Sequence, residues 1–127
     1  MLNLAYNYNK ENIVKNLKWI GGSKKDLLAF PKEVRQEIGY ALYAAQKGET
    51  HESAKPFKGH GSGIYEIVSD YDKNAYRAVY IVNVGEAVYV LHAFQKKSKQ
   101  GIKTPKEEIA IISERLKKLK LMLKEKE

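Results

Sequence analysis

Basic and aromatic residues concentrate in three short segments of this sequence, and their types suit the binding and cleavage of RNA. The segments are KPFKGHGSGIYE (residues 55–66), AYRAVY (residues 75–80) and HAFQKKSK (residues 92–99). They contribute Lys55, Lys58, His60, Tyr65, Arg77, Phe94, Lys96, Lys97 and Lys99. Lysine and arginine hold phosphates while aromatic rings stack on splayed bases, which favours RNA over duplex DNA as the ligand.

These residue types could cleave RNA without a metal or a histidine, because the 2′-hydroxyl of RNA is a built-in nucleophile. The enzyme then has to align this hydroxyl with the phosphorus, stabilise the phosphate oxygens and move two protons. Arg77 is always charged and suits the contact with the phosphate. A lysine among other cations has its pKa lowered by repulsion, so that a neutral, basic form becomes accessible. Spacing alone does not show that these residues converge.

Most other familiar catalytic motifs are missing from the sequence. It has no cysteine, GxSxG elbow, P-loop or HExxH motif, and its three histidines are scattered without ligand spacing. We therefore expect no metal and no cofactor. His92 falls within a predicted strand and is interpreted as a structural histidine. Glu66, also in a predicted strand, is interpreted as an ion-pair partner of Arg77 or of a neighbouring lysine.

The composition of the chain limits which class of protein it can be and which kind of partner it suits. The chain has 127 residues with 23 basic and 15 acidic side chains, a formal net charge of +8. Such a surplus favours a polyanionic partner, either nucleic acid or an acidic protein, although a basic surface also serves solubility alone. The first 15 residues lack the apolar core of a signal peptide, and no apolar run approaches the roughly 20 residues of a membrane span. We expect a cytoplasmic protein without a membrane partner.

Periodicity predicts an α+β fold in one domain, residues 1–127, with residues 1–15 as an irregular arm. Alternating apolar residues predict strands, and apolar residues at spacings of three and four predict helices. The predicted order is a short strand (16–22), two helices or one kinked at Pro31 (23–48), a loop (49–63), three strands (63–70, 75–83, 87–94) and a helix from Thr104. The separators DKN and VGE between the three strands are short enough for hairpins.

Two of these elements have more detailed expectations. In the second of the three strands, Arg77, Val79 and Ile81 lie on one face and Tyr76 and Tyr80 on the other, so that both faces carry apolar bulk and the strand should be central. The last helix has capping signals at its start. Thr104 is predicted as its N-cap and Pro105 as its first residue.

Residues 58–109 resemble the RelE/ParE superfamily of type II toxins, within it the phage-derived, HigB-like branch. The resemblance lies in an ordered set of segments: the lysine and glycine-rich stretch leading into GIYE, then YRAVY, then LHAFQKKSKQGIKTP followed by EEI. It extends from about Trp19 to the last helix. It implies a RelE-like fold, with helices on one face of an antiparallel-dominated sheet of about four strands, two helices preceding and one following.

The same resemblance implies a function and roles for individual residues. The protein would be a ribosome-dependent mRNA interferase, with Arg77 on the scissile phosphate and Lys58 and Lys96 stabilising charge and transferring protons. The RNA-binding residues would be Phe94, stacking on a base, together with Lys97, Lys99 and Tyr65. The implied partners are the ribosome, mRNA and a cognate antitoxin, typically a helix-turn-helix DNA-binding protein. The C-terminal sequence KKLKLMLKEKE has no tyrosine of the kind that some RelE proteins use, so the general base stays open.

Two other functions remain open at this point. ParE-type members of the superfamily share the fold but inhibit DNA gyrase and do not cleave RNA. A toxin that has lost its chemistry would remain a non-catalytic module that binds RNA or antitoxin. The lysines themselves could be an ordinary solvated surface.

Overall fold

The structure is a computed structural model, and it describes residues 13–96 and 103–126. Its helices and strands confirm the predicted α+β class. Along the chain they are β1 (Asn16–Trp19), α1 (Ser23–Leu28), α2 (Lys32–Gln46), β2 (Ala54–Pro56), β3 (Ile64–Tyr71), β4 (Asn74–Val84), β5 (Ala87–Lys96) and α3 (Lys106–Glu125). The predicted N-terminal arm lies largely outside the described residues, and 13–15 belong to neither a helix nor a strand.

The strands form one sheet of five in the order β1-β5-β4-β3-β2. β1 is parallel to β5, and the other neighbouring pairs are antiparallel. β4 lies in the middle of the sheet, as its two apolar faces predicted. The sequence predicted about four strands because β2 falls in the segment that was assigned to a loop. β2 has only three residues and no apolar alternation, and it forms by pairing with β3 through Ala54↔Ile67 and Lys55↔Glu66.

The helices cover both faces of the sheet. α2 packs on one face through Val34, Ile38 and Leu42, in a cluster that contains Tyr80. α3 packs through Ile112, Leu116 and Leu119 in a second cluster that contains Val79 and Ile81. Because adjacent residues of a strand point to opposite faces, these two clusters lie on opposite sides of β4. The expectation of helices on one face alone is therefore wrong.

The start of α3 differs from the predicted cap, and α1 also begins without a side-chain cap. α1 and α3 have Gly22 and Pro105 as their N-caps, without a capping side-chain hydrogen bond. The Ser23 hydroxyl is buried and donates to the carbonyl of Val90 at 3.1 Å, which ties α1 to β5. Thr104 likewise bonds away from its own helix, and its hydroxyl donates to Glu66 Oε2 at 3.3 Å. In both places a tertiary hydrogen bond has replaced the local cap.

The β3–β4 turn and the start of β3 have specific backbone requirements. Asp72 and Lys73 both have positive φ, 51° and 65°, in a two-residue hairpin loop closed by Tyr71 and Asn74. Gly63 has φ of +79°, and a Cβ there would lie 2.7 Å from the Val82 carbonyl oxygen. The described part of the chain contains no helix that is long and apolar enough to cross a membrane.

Candidate RNA-cleavage site

Strand register brings three cations together at one end of the sheet. Arg77 lies opposite Phe94, and Lys96 lies opposite Ala75, two residues before Arg77 on β4. On the other side, Glu66 pairs with Val79 of β4 and with Lys55 of β2. All of these positions share the face on which Val79 and Phe94 pack against α3. We call Lys55, Arg77 and Lys96 the cation cluster.

Arg77 is held in place although little of it reaches solvent. The residue is 9% exposed. Its Nη1 donates to the carbonyl oxygen of Tyr76 at 3.1 Å and lies 3.5 Å from Asp70 Oδ1. The Asp70 side chain is 73% exposed, so the carboxylate can move aside for another anion. Arg77 thus pairs with Asp70 and not with Glu66. The alternative expectation, a lysine as the neighbour of Glu66, agrees with the strand pairing of Glu66 with Lys55.

Lys96 is buried next to Arg77, and its charge is disfavoured there. Burial lowers the pKa of Lys96 below its usual 10.5, and the positive charges of Arg77 and Lys55 lower it further, while Glu66 and Asp70 oppose them. A lysine in such surroundings gives up its proton more readily than one in water. This direction of the pKa shift is the one that a proton-accepting lysine needs.

Lys58 lies beside this cluster in a groove between the segment after β2 and the start of α3. The groove has a volume of about 370 Å³, and the residues that line it include Phe57, Lys58, His60, Glu66, Lys103, Thr104 and Ile109. Phe57 and His60 stack with their ring centroids 5.2 Å apart. We call it the Glu66 groove, because the buried Glu66 carboxylate belongs both to this groove and to the face that carries the cation cluster.

Phe94 does not line an open surface in this structure. It is 6% exposed and packs in the cluster under α3. Its ring stacks on His92 with the centroids 5.1 Å apart. A base could stack on Phe94 only after the residues that cover it had moved.

His92 is a satisfied structural histidine, as the sequence predicted. Its Nδ1 lies 3.2 Å from Arg115 Nη1, and its Nε2 lies 3.2 Å from Glu108 Oε1. Since the guanidinium is only a donor, Nδ1 accepts, and Nε2–H is left to donate to the carboxylate. Arg115 also donates to the Leu91 carbonyl at 2.9 Å. Both hydrogen-bond partners of the ring belong to α3, so His92 attaches that helix to β5.

The remaining predicted RNA-binding residues are not part of this arrangement. Tyr65 pairs with Tyr80, and the two rings stack at 5.5 Å on the opposite face of the sheet, beneath α2. Lys97 and Lys99 lie outside the described residues. The structure thus brings Arg77 and Lys96 together, places Lys58 in the adjoining groove and separates Tyr65 from all of them.

Sequence reasoning counted Lys55 among the basic residues near the sheet but gave it no role in the site, and it did not single out Asp70. Lys55 joins the cluster through β2, a strand whose three residues carry no recognisable pattern. Asp70 looked like surface charge, and its role as partner of Arg77 depends on the register of β3 and β4. The usable signal was the proximity of Lys55 to Lys58 in one basic segment.

The arrangement can bind a phosphate and exchange protons with its substituents. Two lysines and an arginine on neighbouring strands present positive charge at one end of the sheet, and a carboxylate adjoins them. Within the described ranges, 13–96 and 103–126, no group of three or more histidine, aspartate or glutamate side chains could hold a metal ion. Charge stabilisation and proton transfer are the chemistry that these side chains offer.

The chain is similar to a known protein family and to a solved structure. The model of the family described as "Phage derived protein Gp49-like (DUF891)" matches residues 25–117. No curated protein matches the sequence. A chain in the crystal structure of the RelBE2 toxin–antitoxin complex from Mycobacterium tuberculosis is similar in fold, with a TM-score of 0.47 and 14% identity. That match covers 68% of this chain and 97% of the other.

Proposed function

Because the chain belongs to the Gp49-like phage-derived family, a family of RelE-like toxins, we propose that it cleaves mRNA on the ribosome as a HigB-like toxin. The observation that carries this proposal is the cation cluster, in which Arg77 and a lysine with a lowered pKa lie on adjacent strands. A gyrase inhibitor has no need of a proton-transferring lysine beside a phosphate-binding arginine. Action on ribosomes implies a cytoplasmic site of action.

In the proposed reaction the 2′-oxygen of one nucleotide attacks the adjacent phosphorus. The new O2′–P bond closes a 2′,3′-cyclic phosphate, and the P–O5′ bond breaks to release a 5′-hydroxyl. One proton leaves the 2′-hydroxyl and one reaches the departing 5′-oxygen, so that water is not consumed. Arg77 holds the non-bridging phosphate oxygens, where charge builds up in the transition state.

Lys96 is the proposed proton-transfer residue for this reaction. In its neutral form it accepts the proton of the 2′-hydroxyl, and its lowered pKa increases the neutral fraction at any given pH. Lys55 and Lys58 add positive charge around the phosphate. Phe94 is buried under α3, so the proposal assigns it a packing role next to Arg77 rather than a base-stacking role.

The proposed regulatory partner is an antitoxin. A protein with a net charge of +8 is complemented by an acidic partner. An antitoxin that covers or displaces the cation cluster would block RNA without altering the fold. We propose that it is a helix-turn-helix DNA-binding protein, encoded together with the toxin.

The test is induced expression of the protein followed by primer extension on a reporter mRNA. One reporter is translated, and a matched reporter has its start codon removed. We expect cuts at defined codon positions in the translated reporter alone. Growth arrest with intact mRNA would contradict the proposal and indicate a gyrase-type target. The absence of both arrest and cleavage would contradict it as well and indicate a non-catalytic binding module.

A further inference from the structure

The Glu66 groove adjoins the cation cluster at a distance that suits RNA. Glu66 lies opposite Val79 on β4, two residues from Arg77 on the same face. Two residues along a strand span about 7 Å, which is within the reach of one nucleotide. A phosphate held by Arg77 would therefore bring a neighbouring base to the mouth of the groove.

The walls and size of the groove suit a single nucleoside. The Phe57 and His60 rings stack on each other at an interplanar angle of 18°, so that an outer face of this pair can stack on a base, and Ile109 adds an apolar side chain. His60 is held by a contact of 3.4 Å between its Nδ1 and the Ser113 hydroxyl. The volume of about 370 Å³ is near the lower limit of small-ligand pockets, which begin at roughly 300 Å³.

The polar groups of the groove distinguish among the four bases. The Glu66 carboxylate is 7% exposed and offers only acceptors, one of which takes the Thr104 hydroxyl proton. Guanine is the base with two adjacent N–H donors on its Watson–Crick edge, at N1 and N2. Adenine and cytosine place a ring acceptor beside the amino group, and uracil places carbonyls on both sides of its N–H. The guanine O6 acceptor could accept from the ammonium group of Lys58 or Lys103, both of which line the groove.

From this geometry we propose that the Glu66 groove is a guanine-binding subsite, which selects a guanine next to the cleaved phosphodiester bond. It rests on the proposed function in one respect, since RNA is taken as the substrate. Glu66 reads the N1–H and N2–H donors, the Phe57–His60 wall stacks on the base, and Arg77 holds the adjoining phosphate. Glu66 is thus a specificity-determining residue.

Binding of mononucleotides tests the subsite without requiring cleavage. We would titrate the purified full chain with guanosine 3′-monophosphate and with adenosine 3′-monophosphate and follow amide chemical shifts by NMR. The expected result is tighter binding of the guanosine nucleotide by about tenfold, the order of selectivity that one bidentate base contact gives. The shifted amides should include those of His60, Thr104 and Ile109. Equal affinities, or shifts confined to other parts of the chain, would overturn the proposal.

Three variants separate selectivity from affinity and from folding. Glu66→Gln should abolish the preference, because an amide cannot accept both guanine protons. His60→Ala removes one ring of the aromatic pair and should weaken the binding of both nucleotides to a similar extent, leaving the ratio of their affinities intact. Glu86→Gln is the matched control, since Glu86 is exposed at the β4–β5 turn, the end of the sheet away from Arg77. A preference that survives Glu66→Gln in a folded protein would refute the role of Glu66.

Mapping of cleavage sites distinguishes a failure of this inference from a failure of the proposed function. If mRNA is cut without enrichment of guanine at the cut and neither nucleotide binds preferentially, the subsite is refuted while the interferase stands. If guanosine 3′-monophosphate binds in the groove but translated mRNA stays intact, the subsite is supported and the interferase is refuted.

Discussion

Replacing Arg77 by alanine should remove RNA cleavage while leaving the protein folded. The structural cost is small because both partners of the guanidinium tolerate its loss. Asp70 is 73% exposed and returns to water, so no charge is left buried, and the loss of a pair with one solvent-screened partner costs about 0–1 kcal/mol. The hydrogen bond to the Tyr76 carbonyl adds about 1 kcal/mol. These two contacts account for about 1–2 kcal/mol, and the lost packing of the buried side chain adds to this, out of the roughly 5–15 kcal/mol of a typical domain.

The catalytic cost of the same change should be far larger. Arg77 is the cation proposed to touch the phosphate oxygens, and it does so where only 9% of the residue is exposed. Removal of one such preorganised donor typically lowers kcat by about a hundred- to a thousandfold. Arg77→Lys keeps a point charge but loses the planar fork that matches phosphate. Its activity should lie between that of Arg77→Ala and that of the unchanged protein.

The assay compares rates of cleavage of a ribosome-bound mRNA, and urea denaturation reports stability on the same preparations. Arg35→Ala is the matched control, because Arg35 is exposed on α2, beyond the opposite face of the sheet. We expect it to change neither the rate nor the free energy of unfolding by more than experimental error. If folded Arg77→Ala cleaves within tenfold of the unchanged protein, the assignment of Arg77 to the phosphate is refuted.

Three further predictions concern pH and the backbone. Single-turnover cleavage should accelerate as the pH rises through the pKa of Lys96, which lies below 10.5. Lys96→Ala should cleave more slowly and lack this rise. If the pH profile of Lys96→Ala equals that of the unchanged protein, Lys96 is excluded as the base. Burial lowers the folded-state pKa of His92 below 6.5, so the stability it contributes is present above 6.5 and is lost as pH falls through the lower, folded-state value. The free energy of unfolding should thus begin to drop as the pH falls below about 6.5 and continue to drop through the folded-state pKa. The drop should be smaller in His92→Gln, and an equal drop in both proteins would contradict this. Gly63→Ala places its new Cβ 2.7 Å from a backbone oxygen, whereas Gly48 has a similar φ but open space around it. Gly63→Ala should therefore lower the free energy of unfolding by well over the roughly 1 kcal/mol expected for Gly48→Ala. Equal losses in the two variants would refute the steric argument.

Tyr65 shows how one residue in a turn decides which side chains meet. The separator DKN suggests a three-residue loop, which would pair Tyr71 with Ala75 and put Tyr65 on the face of Arg77. The actual loop has two residues, Asp72 and Lys73, and pairs Tyr71 with Asn74. Shifting the register by one residue reverses every side chain of β3 relative to β4. Tyr65 therefore packs on Tyr80 under α2.

Other parts of the site were predictable to different degrees. The two apolar faces of β4 predicted a central strand, and with it the burial of Arg77, because alternation is a local property of the sequence. The burial of Phe94 was not predictable in this way. It depends on the position of α3. Glu108 and Arg115 of this helix, 16 and 23 residues after His92 in the sequence, both form hydrogen bonds with the His92 ring. Such contacts follow from where a helix docks, and no local pattern encodes that position.

The electrostatics of the cation cluster also explain why positive charge is concentrated where the sheet ends. Arg77 and Lys55 both lower the pKa of Lys96. The three positively charged side chains therefore repel one another when no anion is bound. A bound phosphate would reverse that repulsion, since an anion near Lys96 favours its charged form. The same phosphate would compete with Asp70 for Arg77, and Asp70 is exposed enough to yield. The cluster therefore gains more from an anion than an equal number of dispersed lysines would, and that gain is what separates a phosphate-binding site from an ordinary basic surface.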